Sequence, residues 1–366
     1  MRNKIDWFIV VSDDGGFGGA EYIQLQIAEY LISENYTCTI YFLTNTRYGK
    51  WDHLSNKSRL VYSPFSSYFL GYLYLIPFII NTAIKNRIQW TFSSQTLVNA
   101  MLGIMKKLRV LKRAKIVVRE STSVFKQIKG LKALRYRLAY NFGYSKVDYV
   151  IFQTELMKND LLKEFPWMSS NMNLLVLGNP INLELVRKKS LESFNFHLEK
   201  KFIVAAGRLI NVKGFDILID SFHKIKNNFP NLELWILGEG ILREELQAQV
   251  ENLGLNNRVK LIGHVDNPYP YFKMAQSCII SSRVEGFPNV LLQMMVCNTN
   301  VISTLCAGDI KNINGIFKCK TENIDDLAQQ ITKSLTTNTS NNRQLFDTFL
   351  EKRTFKGYLD TIINLN

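Results

Sequence analysis

The residues best suited to chemistry in this 366-residue chain lie between Ser281 and Cys297, Ser-Ser-Arg-Val-Glu-Gly-Phe-Pro-Asn-Val-Leu-Leu-Gln-Met-Met-Val-Cys. The apolar run Cys278-Ile279-Ile280 reads as a strand that stops at two serines. A Glu-Gly-Phe-Pro turn follows, and Asn289 stands where a helix N-cap belongs, ahead of Val290, Leu291 and Leu292. Free amides at such a helix start, with the positive end of its dipole, favour an anion, and phosphate is the usual occupant. Glu285 stands just ahead of that cradle, and Gln293 follows eight residues later on the helix. An acid gains nothing from a phosphate, so Glu285 suits a neutral hydroxylated group such as a sugar. The plainer alternative makes Glu285 an N-cap residue and Gln293 a solvated one.

Two cations belong to the same chemistry. Phe202 to Ala206 reads as a strand ending in Gly207-Arg208, and Lys213-Gly214 follows ahead of an amphipathic helix. A pyrophosphate leaving group accumulates charge in the transition state, and fixed cations at Arg208 and Lys213 lower that cost. Further strands, Leu232 to Leu237 and Val259 to Gly263, end in Gly238-Glu239-Gly240 and His264-Val265-Asp266-Asn267-Pro268. Both stand at strand ends beside Arg208, where backbone groups at Gly238 and Val265 can edge a ligand, with His264 structural.

Near the N-terminus, a strand from Ile5 to Val11 precedes a glycine-rich loop and a helix carrying Ile23, Leu25, Ile27, Ala28 and Leu31. Gly18 and Gly19 stand where that helix begins, a place where glycine lets backbone approach a ligand. The loop lacks the G-x-G-x-x-G spacing. The strand Thr37 to Leu43 ends without the acid that would hold an NAD ribose. The strand Lys115 to Val118 ends in Arg119-Glu120, and Glu120 is the only acid between His53 and Val147, against seventeen Lys and Arg. A strand's C-terminal tip is where α/β sheets bind ligands, which makes Glu120 a candidate for a sugar hydroxyl. The alternative is a local ion pair with Arg119.

Composition sets the frame. Hydrophobic residues make up 46% of the chain, enough for two cores. Five cysteines without a C-x-x-C pair fit reduced core thiols, not metal or disulfide roles. The net charge of +14 is uneven: residues 1–180 hold 23 Lys and Arg against 12 Asp and Glu, the remainder 22 against 19, so +11 and +3. Basic amphipathic segments, Lys106 to Lys115 and Lys126 to Arg137, the second interleaved with Phe125, Ile128, Leu131, Leu134 and Tyr136, suit an anionic lipid surface. The apolar stretch Phe69 to Ile84, with Pro77 inside, reads as a buried or interfacial helix too short to span a bilayer. The first residues run into a strand without a signal peptide, so a cytoplasmic protein, peripheral on the inner face of the membrane, is expected. A nucleic-acid binder would need a reading module, and none is recognisable.

The ordered set of Gly-Arg…Lys-Gly, Gly-Glu-Gly, Glu-Gly-Phe-Pro and the helical Gln resembles the family 4 retaining glycosyltransferases, over roughly residues 200–310. Glu285 to Gln293 is similar to that family's E-x7-E element, with Gln293 in place of the second acid. An amide still accepts one ribose hydrogen bond. Gly18-Gly19-Ala20-Glu21 is similar to the family's G-G-A/x-E loop facing the cleft. Arg119 and Glu120 stand where many relatives have a histidine. The resemblance implies an α/β fold of the GT-B type, two Rossmann-like domains facing a central cleft. Residues 1–180 would bind the acceptor, residues 181–345 the nucleotide sugar, and residues 346–366 would form a tail crossing back to the first domain.

The implied reaction moves a hexose or N-acetylhexosamine from a UDP- or GDP-sugar, with retained configuration, to a polyprenyl-diphosphate-linked glycan in bacterial surface polysaccharide biosynthesis. Arg208, Lys213, Glu285 and Glu120 would be the catalytic groups. Gly18, Gly19, Gly207, Gly238, Val265, Gly286, Phe287, Val290, Leu291 and Gln293 would surround the donor. No cofactor is implied, and the absence of a D-x-D sequence speaks against a metal-clamped nucleotide. A nucleotide-sugar epimerase of the same fold, or a non-catalytic partner in a glycan-assembly complex, are the rival readings.

Overall fold

The computed structural model describes residues 3–15, 18–122, 130–193 and 201–364. The chain divides into two compact units, Met1–Asn179 and Pro180–Asn366.

The first unit is built on seven strands: β1 (Asn3–Val11), β2 (Cys38–Phe42), β3 (Arg59–Tyr62), β4 (Asn86–Ser93), β5 (Lys115–Arg119), β6 (Tyr149–Phe152) and β7 (Asn173–Val176). They run parallel in the order β3-β2-β1-β4-β5-β6-β7. Parallel sheets need cover on both faces, so their strands read as unbroken apolar runs. Every residue from Ile5 to Val11 is buried accordingly. The strand order reverses between β1 and β4, the kind of point where doubly wound sheets take ligands at the strands' carboxyl ends.

The second unit repeats the plan with six strands: β8 (Lys201–Ala206), β9 (Leu232–Leu237), β10 (Val259–Gly263), β11 (Ser277–Ile280), β12 (Val301–Thr304) and β13 (Phe317–Cys319). Their order is β10-β9-β8-β11-β12-β13, all parallel, and it reverses between β8 and β11. Register fixes those two neighbours with Cys278 beside Val204 and Ile279 beside Ala205. The loops behind β8 and β11 therefore leave the sheet side by side.

Several expectations need correction. The apolar stretch forms one helix, Tyr68–Lys85, that runs through Pro77. Pro77 stands on the exposed face, where water can serve the carbonyl that its missing N–H leaves without a donor. Among the described residues this is the one helix long and apolar enough to cross a membrane by length and composition, with mean hydropathy 1.3. Its Gly71, Leu75, Ile79 and Thr82 are nevertheless buried, and the helix packs against β4. The second cationic stretch begins its described part at Gly130, in the helix Gly130–Gly143. Phe125, Lys126 and Ile128 lie outside the described residues, and Leu131 and Leu134 are exposed. The short strands β3 and β13 carry no alternation or apolar run long enough to announce them. The end of the chain forms two helices, Asn342–Leu350 and Phe355–Ile363, both grouped with the second unit, and Phe355, Tyr358, Leu359 and Ile362 are buried.

Glu120, at the tip of β5, sits in a buried polar network. It is 3% exposed, and its carboxylate accepts from Tyr140 (2.7 Å) and Tyr144 (2.5 Å). Gln153 donates to the backbone carbonyls of Glu120 (3.2 Å) and Ser121 (2.8 Å), Asn179 donates to Gln153 (3.0 Å), and Arg119 donates to Asn179 (2.7 Å). Burial raises the Glu120 carboxyl above the ordinary glutamate range, against the lowering effect of the tyrosine hydroxyls. The folded state thus holds this proton at pH values where the unfolded chain has released it. The resulting stability is complete below the unfolded value and drains away as pH climbs through the raised one.

Glu120→Gln removes that titration while keeping the side chain's shape. Its stability relative to wild type should improve as pH rises above about 4.5, with a slope of at most about 1.4 kcal/mol per pH unit. A difference that stays constant across this range would show that the carboxyl is not shifted.

Candidate functional site

The second sheet's reversal point gathers the expected phosphate and sugar ligands. From β8 the chain passes Gly207 and the exposed Arg208, makes one tight turn over Asn211–Lys213, and enters the helix Phe215–Ile225 through Gly214. Gly214 has φ +62°, and a Cβ there would lie 2.3 Å from the Ser281 carbonyl oxygen, so the position accepts only glycine. The turn is sewn to the loop behind β11. Ser281 Oγ donates to the Lys213 carbonyl (2.8 Å), the Arg283 amide to the Val212 carbonyl (2.8 Å), and the Arg283 guanidinium to the Asn211 carbonyl (2.6 Å).

On this frame Lys213 Nζ meets Glu285 Oε1 at 2.5 Å, with the two side chains 20% and 18% exposed. Ser282 Oγ donates to the same oxygen at 2.9 Å, and the Glu285 amide donates to the Cys306 carbonyl at 2.8 Å. Thr304 Oγ1 in turn holds the Ser282 carbonyl at 2.6 Å. Burial, and then the Glu285 charge, push the Cys306 thiol up to about 12, which leaves it inert as a nucleophile. The second oxygen of Glu285 and the guanidinium of Arg208 take no partner among the described residues. One acid and one base are therefore prepositioned, and each neighbourhood retains unused hydrogen-bonding capacity.

The loops behind β9 and β10 close the same end of the sheet. A Cβ on Gly238, whose φ is +137°, would lie 2.0 Å from the Gly207 carbonyl oxygen. The Gly238 amide donates to Gly263 (2.7 Å) and the Leu209 amide to Glu239 (2.9 Å), so these loops pack backbone on backbone. Val265, two residues past β10, is half-buried against the core.

The helix Asn289–Cys297 begins one residue earlier than expected. Pro288 occupies the cap position, no side chain caps the helix, and Asn289 is its first residue instead of its cap. Pro288 supplies the fixed φ of a chain entering a helix but no acceptor for the first amides. The amides of Gly286 and Val290 bond no acceptor among the described residues, which is the electropositive terminus that an anion needs. Phe287 (4% exposed) lies under the Arg353 guanidinium at 4.9 Å, and Leu291 is fully buried, so both can serve a ligand only through backbone. Gln293 is 8% exposed, and its amide makes no hydrogen bond among the described residues. That amide is therefore open to a ligand hydroxyl.

Arg283 was not singled out by its sequence. It is 19% exposed, grips Asp216 with two bonds (2.9 and 2.6 Å) and reaches Glu322 at 3.0 Å. Although burial pushes Asp216 up, the Arg283 bonds and charge hold its carboxyl below the ordinary range. The signal that could have found Arg283 is its place two residues before Glu285, within the quoted stretch.

Gly18, Gly19 and Glu120 belong to the first unit, and the Lys213 cluster is built without them. Gly18 caps and Gly19 opens the helix Gly19–Ser33 behind β1, where Ser12 donates to Glu21. Asp14, fully buried in the same loop, accepts from the amides of Tyr48 (2.9 Å), Gly49 (2.9 Å) and Trp51 (3.2 Å). That loop is therefore braced internally. Glu120 has both carboxylate oxygens engaged by tyrosines.

The chain resembles proteins of known structure over nearly its whole length. HepE from Anabaena, solved in complex with UDP, superposes with a TM-score of 0.78 at 18% identity, covering 98% of this chain and 100% of that one. Sucrose-phosphate synthase from Thermosynechococcus elongatus gives 0.77 at 16% identity, covering 98% of each chain. At such identities the likeness is one of fold: two parallel sheets with alternating helices, the architecture of GT-B glycosyltransferases. Among curated proteins, the N-acetylgalactosamine-N,N'-diacetylbacillosaminyl-diphospho-undecaprenol 4-alpha-N-acetylgalactosaminyltransferase of Campylobacter jejuni is 32% identical over 194 residues, 52% of this chain and 51% of that protein. The chain spans about half the length of the curated relatives it matches. Residues 186–346, which include every member of the Lys213 and Glu285 cluster, match the model of the family described as glycosyl transferases group 1.

Proposed function

We propose that this chain is a glycosyltransferase whose second unit holds a nucleotide-diphosphate sugar. The observation that carries the reading is the Lys213–Glu285 pair at the sheet's reversal point, flanked by Arg208 and the unclaimed amides of Gly286 and Val290. Cations and amides suit a diphosphate, and the open oxygen of Glu285 suits a sugar hydroxyl. The same groups serve the transition state better than the ground state, because charge builds on the departing diphosphate as the bond to the sugar's anomeric carbon breaks. In the retaining course proposed here, the acceptor oxygen attacks from the side the diphosphate leaves. The acceptor's proton passes to the departing phosphate oxygen, so no protein nucleophile is required. Gln293 would accept one ribose hydroxyl.

The donor is a UDP- or GDP-sugar, with a hexose or N-acetylhexosamine, and no metal takes part. The acceptor is a polyprenyl-diphosphate-linked glycan in surface polysaccharide assembly, reached at the inner face of the membrane. The Campylobacter relative's name, which contains a diphospho-undecaprenol acceptor, supports this choice, as does the basic first half of the chain.

A thermal-shift series with UDP, GDP, ADP and their sugars tests the donor assignment. The matching donor at a hundred times its Kd should add about 2.7 kcal/mol to stability, and uniform silence across the series would remove the assignment. Arg208→Ala should lower kcat by about 10²–10³-fold with the melting temperature unchanged, since the side chain is exposed; ordinary turnover would take Arg208 out of the site. Activity should survive EDTA, and strict dependence on added Mn²⁺ or Mg²⁺ would overturn the metal-free course. Arg283→Ala and Asp216→Asn should each reduce kcat/KM by about tenfold or more, and the double variant should lose little beyond either single one, as for residues acting through one contact. Additive losses would separate them.

A further inference from the structure

The outer surface of the first unit is apolar where an ordinary helical protein is polar. Of the helix Tyr68–Lys85, Phe69 is 60% exposed, Leu73 51% and Ile84 61%. These residues share one side of the helix, opposite the buried Leu75 and Ile79. The helix Gly130–Gly143 has a second stripe, Leu131 at 87%, Leu134 at 53%, Leu138 at 49% and Phe142 at 61% exposed, spaced so that all four share a face. Both helices cover one apolar core, Leu75 and Ile79 from the first and Tyr140 from the second. Singly exposed hydrophobic residues are ordinary, but two such stripes on helices that share one core make a docking face.

Charge identifies what docks there. A groove of about 860 Å³ beside Ile80 and Ile84 is rimmed by Arg87, Arg109, Lys112 and Arg113. Between His53 and Val147 the sequence has seventeen cations and one acid, and that acid, Glu120, is buried in the interior. A second copy of the chain would bring the same uncompensated cations against this surface. A bilayer with anionic headgroups offers hydrocarbon for the stripes and phosphates for the rim.

We propose that the helices Tyr68–Lys85 and Gly130–Gly143 insert their exposed apolar faces into an anionic lipid bilayer, while Arg87, Arg109, Lys112 and Arg113 hold lipid phosphates at the groove. This deepens the membrane-side reading above and rests on it. The attachment is insertion and not charge adsorption, so it outlasts salt screening of the cations. The helix Tyr68–Lys85 lies in the interface and does not span, because its other face is committed to the sheet.

The test is flotation of the full chain with vesicles of phosphatidylcholine alone or with added phosphatidylglycerol, at low and high salt. Wild type should float with the anionic vesicles and remain bound after a salt increase. Phe69→Ser with Leu73→Ser, both exposed and therefore tolerant of polar side chains, should lower the bound fraction by about tenfold. Arg109→Gln with Arg113→Gln should abolish the preference for phosphatidylglycerol. Sugar transfer to a water-soluble acceptor should be unchanged in both. If wild type floats and the Phe69/Leu73 variant floats equally well, the docking face is wrong while the membrane reading stands. If wild type binds no vesicle yet transfers sugar to a soluble acceptor, the membrane reading itself falls. If wild type is instead a dimer that the same two substitutions dissociate, a second copy covers the face and the proposal is overturned.

Discussion

The site depends on one ion pair held where water has limited access. Lys213 and Glu285 approach within 2.5 Å with about four-fifths of each side chain covered, and neither could rest there alone. Removing one partner of such a pair strands a charge, at a cost of several kcal/mol. Each charge therefore fixes the other, and the surrounding hydrogen bonds fix both. Ser282 adds a third contact to the acid, while Ser281 and Arg283 tie the lysine's turn to the acid's loop. An arriving diphosphate would meet a lysine already desolvated and aimed, with little reorganisation left to accomplish.

This arrangement follows from sheet topology more than from any single side chain. Parallel strands whose order reverses leave two loops diverging from adjacent strand ends, and in the second unit those are the loops behind β8 and β11. The first unit has the same kind of reversal between β1 and β4, but there the polar groups bond one another. Asp14 braces a neighbouring loop, Glu21 meets Ser12, and Glu120 is closed off by two tyrosines. One topology thus carries an open polar site in one unit and, in the other, a more fully bonded one beside the unpartnered Ser94 hydroxyl and Gln95 amide oxygen. The buried Glu120 network gives that unit a rigid interior behind an apolar exterior.

Much of the second unit was legible because its strands are short apolar runs closed by glycine or serine, and its cations and acid stand directly after them. Arg208, Lys213 and Glu285 could be singled out from their places after strands together with the family resemblance, and Lys213 and Glu285 do meet. Arg283 could not, because its worth lies in reaching Asp216, distant in sequence and close only after β8 and β11 pair. The helix start at Asn289 was misread as a cap because a side chain that often caps stood beside a proline that entered the helix first. The helix through Pro77 was legible as a helix, and it tolerates the proline because that residue lies on its exposed face. Short edge strands such as β3 and β13 have too few residues for a period to register.

The contact of Gly238 with the Gly207 carbonyl has a consequence for how such a site can diversify. The loops behind β8 and β9 meet main chain to main chain with no gap for even a methyl group, and the Gly238 amide ties them to Gly263 at the end of β10. Insertions or bulky replacements there would spread the sheet itself, so that edge is closed to evolutionary experiment. Side-chain variety at this edge is left to His264 to Asn267, past the clamp, where the Asn267 amide donates to the Lys189 carbonyl (2.9 Å) and to Glu192 (2.7 Å). The close approach that fixes these strand ends leaves room for a different side chain only beyond it.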